Sequence, residues 1–191
     1  MFSGAFDRSQ RRCTWNDPQV FPVLTAQWPW EIETLAGLVA QRGPRVIVEI
    51  GTQEGGTLRY WLEAAASDAR IVAIDPAMYI HGLEDERLIL RNTRSDDPET
   101  IALVKELGID FLFIDGDHMY EPVRYDFMTY GPMVRPGGVI AFHDIYTLEQ
   151  PETCQVPQLW KEICEAGYIT QELLCMHARE TPGGGIGIVY L

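Results

Sequence analysis

The stretch Val46 to Thr57, V-I-V-E-I-G-T-Q-E-G-G-T, decides how the rest of the chain is read. Its first five residues are β-branched and apolar apart from Glu49, the pattern of a strand buried on both faces of a parallel sheet. The strand stops at Gly51, and Gly55-Gly56 opens a helix predicted over Thr57 to Ala66. Glycine lets the backbone come close to a ligand, and the start of a helix offers N–H donors. The spacing G-x-x-x-G-G is not the dinucleotide fingerprint G-x-G-x-x-G. The acid Glu49 just before the first glycine disfavours a pyrophosphate and suits a ligand with a cationic end.

Working outward, strands and helices alternate. Pro29 to Gly43 carries Ile32, Leu35, Leu38 and Val39 at helical spacing. Arg70 to Asp75 (R-I-V-A-I-D) reads as a second buried strand ending in an acid. A carboxylate at that position can accept both hydroxyls of a ribose, so Asp75 points to a nucleoside without saying which one. Ala77 to Glu86 reads as loop or short helix, and Leu88 to Leu90 as a weak third strand. Ser95 and Asp96 then stand where a loop would lie near a base, while Asp97 before Pro98 suits a helix cap. A fourth strand, Ile109 to Ile114, runs into D-G-D-H-M-Y-E, Asp115 to Glu121, with a helix over Pro122 to Tyr130. Pro136-Gly137-Gly138 turns into a fifth strand, Val139 to Phe142, ending in His143-Asp144. Charges at the ends of buried strands are destabilising unless used or paired. If those two strands are neighbours, Asp115, Asp117, His118, His143 and Asp144 share one rim. A helix from Pro157, a sixth strand (Tyr168 to Met176) and a last strand (Ile186 to Leu191) complete the pattern.

The E-I-G-T-x-x-G-G-T corner resembles the first motif of class I S-adenosylmethionine-dependent methyltransferases. I-D-G-D-H-x-Y-E, followed by P-G-G-V-I-A-F-H-D, resembles the group of cephalosporin hydroxylase-like proteins and macrocin and rhamnosyl O-methyltransferases. The likeness covers the chain from about Pro29 onward. It implies an α/β fold: a Rossmann-like, doubly wound, mostly parallel seven-stranded sheet with a C-terminal antiparallel hairpin. It also implies methyl transfer from S-adenosylmethionine to a small-molecule hydroxyl on a sugar or secondary metabolite. The expected cofactor contacts are Glu49, Gly51, Thr52, Gly55, Gly56, Thr57, Asp75, Ser95, Asp96 and Asp115. Asp115 and Asp144 match metal-ligand positions, magnesium or manganese being the expected ion. Asp117 or His118 matches the general base. His143 stands where metal-dependent members carry an acid. It is a third metal-ligand candidate or a catalytic base, and it shifts the preference from magnesium toward manganese, iron or zinc. Two other readings remain at this point: a cofactor-binding relative without methyl transfer, and a nicotinamide-dependent oxidoreductase. A third, non-enzymatic interaction module rests only on the aromatic N-terminal stretch.

Composition bounds the rest. The 191 residues suffice for one domain, here residues 30–191, preceded by an aromatic arm over 1–29 that could form a lid or dimer contact. A net charge of −13 and a pI near 4.6 argue against a nucleic-acid partner. No run is long and apolar enough for a membrane, and the start shows no signal-peptide pattern. The four cysteines form no C-x-x-C pair, and a zinc site among the last three is not expected, because only His177 lies near enough to add a ligand. Reduced thiols and a cytoplasmic location are the expectation.

Overall fold

The structure is a computed structural model. It describes residues 27–80, 82–147, 152–175 and 184–191, and the backbone of 5–7 and 12–14. Most of the arm, His177 and part of the segment Tyr146 to Gln155 lie outside the described residues.

Two short strands, β1 (Ala5–Asp7) and β2 (Arg12–Thr14), pair antiparallel with each other. The main sheet has seven strands. They are β3 (Val46–Ile50), β4 (Arg70–Ile74), β5 (Leu88–Arg91), β6 (Ile109–Ile114), β7 (Val134–Tyr146), β8 (Ile169–Leu173) and β9 (Gly184–Tyr190). Their spatial order is β5-β4-β3-β6-β7-β9-β8. β5, β4, β3, β6 and β7 are mutually parallel, and β9 runs antiparallel to both its neighbours. This is the expected mixed sheet. The order reverses between β3 and β6, and the crevice of such a sheet opens at the carboxyl ends of its strands beside that reversal.

Among the described residues five α-helices cover the two faces: α1 (Pro29–Ala40), α2 (Leu58–Ala64), α3 (Pro98–Leu107), α4 (Tyr120–Tyr130) and α5 (Val156–Glu165). Because strand side chains alternate, β3 feeds two cores. Val46, Val48 and Ile50 pack with residues of α3, α4 and α5, whereas Ile47 packs with residues of α1 and α2. Trp61 anchors the second core, edge-on to Phe111 and Phe113 with ring centroids 5.0 and 5.3 Å away.

Several boundaries differ from the sequence reading. α2 ends at Ala64 instead of Ala66, while Ala77 to Ile80 follows the loop alternative. α4 starts two residues early, at Tyr120, because Gln155 Oε1 accepts the Tyr120 N–H at 2.9 Å and substitutes for a local cap. β7 is far longer than the four residues expected. It passes through Pro136-Gly137-Gly138, which the sequence suggested as a turn, because its flank is paired on both sides: Val134 with Ile109 of β6, and Tyr146 with Gly184 of β9. Asp97 caps α3 as expected, accepting the Thr100 N–H at 2.8 Å.

Candidate active site

A cleft of about 770 Å³ opens at the carboxyl ends of β3, β4, β6 and β7. That is within the usual range for a small-molecule site. It is lined by Gly51, Thr52, Gly56, Thr57, Asp75, Ser95, Asp96, Asp115, Asp117, His118, His143 and Asp144 among others, so the structure brings nearly all of the sequence candidates to one place.

Glu49 and Gly55 are the two that do not line it. Glu49 alternates with Val48 and Ile50 and points with Ile47 toward α2, where it is fully buried. It accepts hydrogen bonds from the Thr57 hydroxyl and from Trp61 Nε1, the latter at 3.1 Å. Burial pushes its pKa up to about 8, against the pull of the Thr57 hydrogen bond, with Asp115 raising it further. Glu49 is therefore protonated in the folded protein at neutral pH and ties the glycine corner to α2 from behind. Between its unfolded value of 4.5 and about 8 the folded state holds the extra proton, so stability falls as pH rises through this window. Thermal melts from pH 6.5 to 9 should show that loss, on the order of a few kcal/mol. Glu49→Gln, which cannot ionise, should flatten the slope; an unchanged slope would place the titration elsewhere. Gly55 shapes the turn, its N–H donating to Thr52 O at 2.8 Å, and its open face meets Ile80.

Gly51 is where the fold demands glycine. Its φ is +91°, and a Cβ there would overlap the Asp115 carbonyl. The end of β3 therefore lies directly on the end of β6, and the corner and the acidic rim form one continuous wall. At the end of β4, Asp75 accepts the Gln53 N–H on Oδ2 at 2.8 Å and the Ala77 N–H on Oδ1 at 2.7 Å. Both oxygens are held in place and keep lone pairs for a ligand.

The rim over β6 and β7 is a tight charge cluster. His143 is buried, with Nδ1 3.2 Å from Asp115 Oδ1 and 3.1 Å from Asp144 Oδ2. Burial alone would depress its pKa, but the two carboxylates outweigh this and raise it well above 6.5. Burial pushes Asp115 upward, and His143 opposes that rise. The imidazolium thus lets two acids sit side by side at neighbouring strand ends. Its Nε2 has no hydrogen-bond partner among the described residues. Asp144 adopts φ +59°, a left-handed conformation that Asp tolerates better than most residues. Its Oδ2 is also 3.2 Å from Nε2 of His118, whose side chain is 42 % exposed and faces the open cleft. Asp115, His118 and Asp144 present ligand atoms all within 4.8 Å of one another, whereas the buried His143 is not part of that set. Asp117 turns back to accept the Met119 N–H at 2.9 Å while still lining the cleft. The stretch from His118 to Tyr120 is bound to the segment before α5 twice, since the Gln155 N–H also donates to His118 O at 2.7 Å.

Three participants escaped the sequence reading. Gln27, buried at the end of the arm, donates through Nε2 to Asp115 Oδ2. Nothing in its unpatterned surroundings marks it. Glu31, in the first turn of α1, passes for an ordinary helix-dipole acid. It is fully buried and accepts the N–H groups of Cys175 (2.7 Å) and Gly185 (3.1 Å), so it joins α1 to the last two strands. Asp126 was detectable. It shares the buried stripe of α4 with Val123 and Tyr130, where an acid is out of place.

Comparison with known proteins agrees with this arrangement. The family described as "Methyltransferase domain" matches residues 48–145, just over half of the chain and the part that carries β3 to β7. The uncharacterized protein R132 of Acanthamoeba polyphaga mimivirus is 37% identical over 114 residues, 51% of this chain and 50% of that protein. The chain thus spans half the length, or less, of the curated relatives it matches. Among solved structures, an O-methyltransferase from Bacillus cereus in complex with SAH superposes with a TM-score of 0.62. It is 20% identical, over 86% of this chain and 82% of that one. MycE methyltransferase from the mycinamycin biosynthetic pathway, in complex with Mg, SAH and mycinamycin VI, gives 0.60 at 19% identity, over 83% and 48%. At such identities these structures speak for the fold, while the family match covers the cleft lining apart from Gln27. The chain belongs to the methyltransferase-domain family.

Proposed function

We propose that this protein transfers the methyl group of S-adenosylmethionine to a hydroxyl of a small-molecule acceptor. The observation that carries the reading is the joining of two sites in one cleft. A glycine corner and a pre-set strand-end carboxylate, Asp75, suit an adenosyl ligand. The Asp115–His143–Asp144–His118 cluster stands across the same space. The acidic wall suits a donor with a cationic sulfonium end. It also disfavours phosphorylated acceptors, since among the described residues eight acids line the cleft against one arginine, Arg94.

Methyl transfer is an in-line displacement, so most of the catalysis is positioning of the two reactants. The acceptor oxygen must also lose its proton. His143, already protonated and buried, serves as the fixed counter-charge of the two acids. His118 faces the open cleft and is oriented by Asp144, which makes it the group that takes the proton. Asp117 holds the turn that presents His118. The donors Asp115, His118 and Asp144 also fit a divalent ion, and the mixed oxygen and nitrogen set suits manganese better than magnesium. Bound there, such an ion would take His118 as a ligand and supply Lewis acidity toward the acceptor oxygen in place of the proton transfer to His118.

Isothermal titration of S-adenosylmethionine into chelator-treated protein, repeated with magnesium and with manganese, tests this. Binding in every case is expected; no binding under any condition overturns the function. A metal-dependent heat would assign the three donors to a cation. In the same assay Asp75→Ala should weaken binding about tenfold or more, roughly 1.4 kcal/mol. Unchanged affinity would mean that the ribose lies elsewhere.

A further inference from the structure

Gln27 reaches the acidic rim from outside it. The residue stands just before α1, beyond the 48–145 span of the family match, and is only 2 % exposed although it lines the cleft. Its Nε2 donates to Asp115 Oδ2, while Asp115 Oδ1 faces His143 Nδ1 at 3.2 Å. The terminal torsion of an aspartate is soft. A partner on each oxygen, one from β7 and one from the arm, fixes the plane of this carboxylate. Gln27 is itself carried on a rigid element. The Trp28 carbonyl accepts the N–H groups of Glu31 and Ile32, both at 3.0 Å, Pro29 opens α1, and Ile32 and Leu35 sink that helix into the core.

The kind of donor matters as much as its place. Asp115 and Asp144 share one imidazolium, that of His143, which leaves the three together with a net negative charge. A lysine or arginine in place of Gln27 would cancel it, whereas a neutral amide donates to the carboxylate and leaves its charge intact. Carboxylates that hold a divalent ion are as a rule held in turn by such outer hydrogen bonds. We infer that Gln27 is a positioning residue for the cation site formed by Asp115, His118 and Asp144: its amide sets the Asp115 carboxylate for a divalent ion without discharging it. This inference rests on the cation part of the reading above.

The test titrates manganese calorimetrically into the chelator-treated full chain, with S-adenosylmethionine titrated into the metal-free protein as the reference. The wild-type protein should bind manganese. Gln27→Met, similar in size but without a donor, should weaken that binding about tenfold or more. Its affinity for S-adenosylmethionine should change by less than about threefold. Gln27→Asn, too short to reach Asp115, is a gentler change to the packing and should lose as much manganese affinity. Gln27→Lys, which keeps a donor but adds a charge, should lose at least as much again. A wild-type chain that binds no manganese overturns the proposal. So does a Gln27→Met or Gln27→Asn protein, shown by its melt to be folded, with wild-type manganese affinity, and so does a Gln27→Lys protein that binds manganese like the wild type. An equal loss for manganese and S-adenosylmethionine overturns it too, because that is the mark of a residue that only docks the arm. The cofactor reading is tested apart from this: S-adenosylmethionine binding without manganese binding removes the present inference and leaves methyl transfer standing, whereas the reverse removes methyl transfer and leaves the cation site.

Discussion

Asp144→Asn is expected to reduce methyl transfer by about a hundredfold or more while leaving the protein folded. Asparagine is the informative replacement. It tolerates the left-handed backbone at φ +59°, where alanine adds roughly 1–2 kcal/mol of strain unrelated to chemistry. The substitution removes one of the two carboxylates that hold His143 and the one that orients His118. It should also leave a signature in pH. His143 has a folded pKa well above 6.5, so the stability it contributes is complete below that value and is lost as pH rises through the folded pKa. With Asp144 neutralised the folded pKa drops, and the loss should begin at lower pH. Initial rates and thermal melts from pH 6 to 9 check both halves. Near-normal turnover in Asp144→Asn would remove this rim from the reaction.

The largest effect on stability is expected from Trp61→Ala, about 3–5 kcal/mol, or a fall in Tm of roughly 10 °C or more. Trp61 is fully buried against Phe111 and Phe113, and a cavity there cannot be filled by neighbours fixed in the sheet. Its Nε1 also supplies one of the hydrogen bonds that hold Glu49. Trp61→Phe separates the two contributions: it keeps ring packing and loses the donor, at a cost of about 1–3 kcal/mol. That smaller cost should grow above pH 8, where Glu49 ionises with one donor fewer. Urea melts at pH 7 and pH 9 measure this. A pH-independent cost for Trp61→Phe would show that the indole N–H does not matter to Glu49.

The sheet was largely legible in the sequence because each parallel strand, buried on both faces, announces itself as a short apolar run closed by a charged or glycine-rich end. Those ends also pointed to the candidate site, since His143-Asp144 after V-I-A-F is costly in a core unless it is paired or used. What the sequence could not give was direction. Glu49 belongs to the same motif as Gly51, but the alternation of β3 turns it toward Trp61, and only the placement of α2 decides which face is ligand and which is core. The role of His143 was equally hidden. Ligand, base and counter-charge require the same residue at the same strand end, and the distances to two carboxylates favour the last. Gln27 and Glu31 act across 88 and 154 positions of chain, where no local pattern reaches.

The paired bonds of Gln155 to His118 and Tyr120 have a bearing on how such a protein can diversify. The connection from β7 to α5 is among the least patterned parts of the chain, and such connections are where new acceptor pockets are built. Here its last residue is clasped to the turn that presents His118. Insertions or exchanges upstream of Gln155 leave that clasp in place. A change at Gln155 itself would loosen the turn that presents His118, so the two sides of that residue are under different constraints.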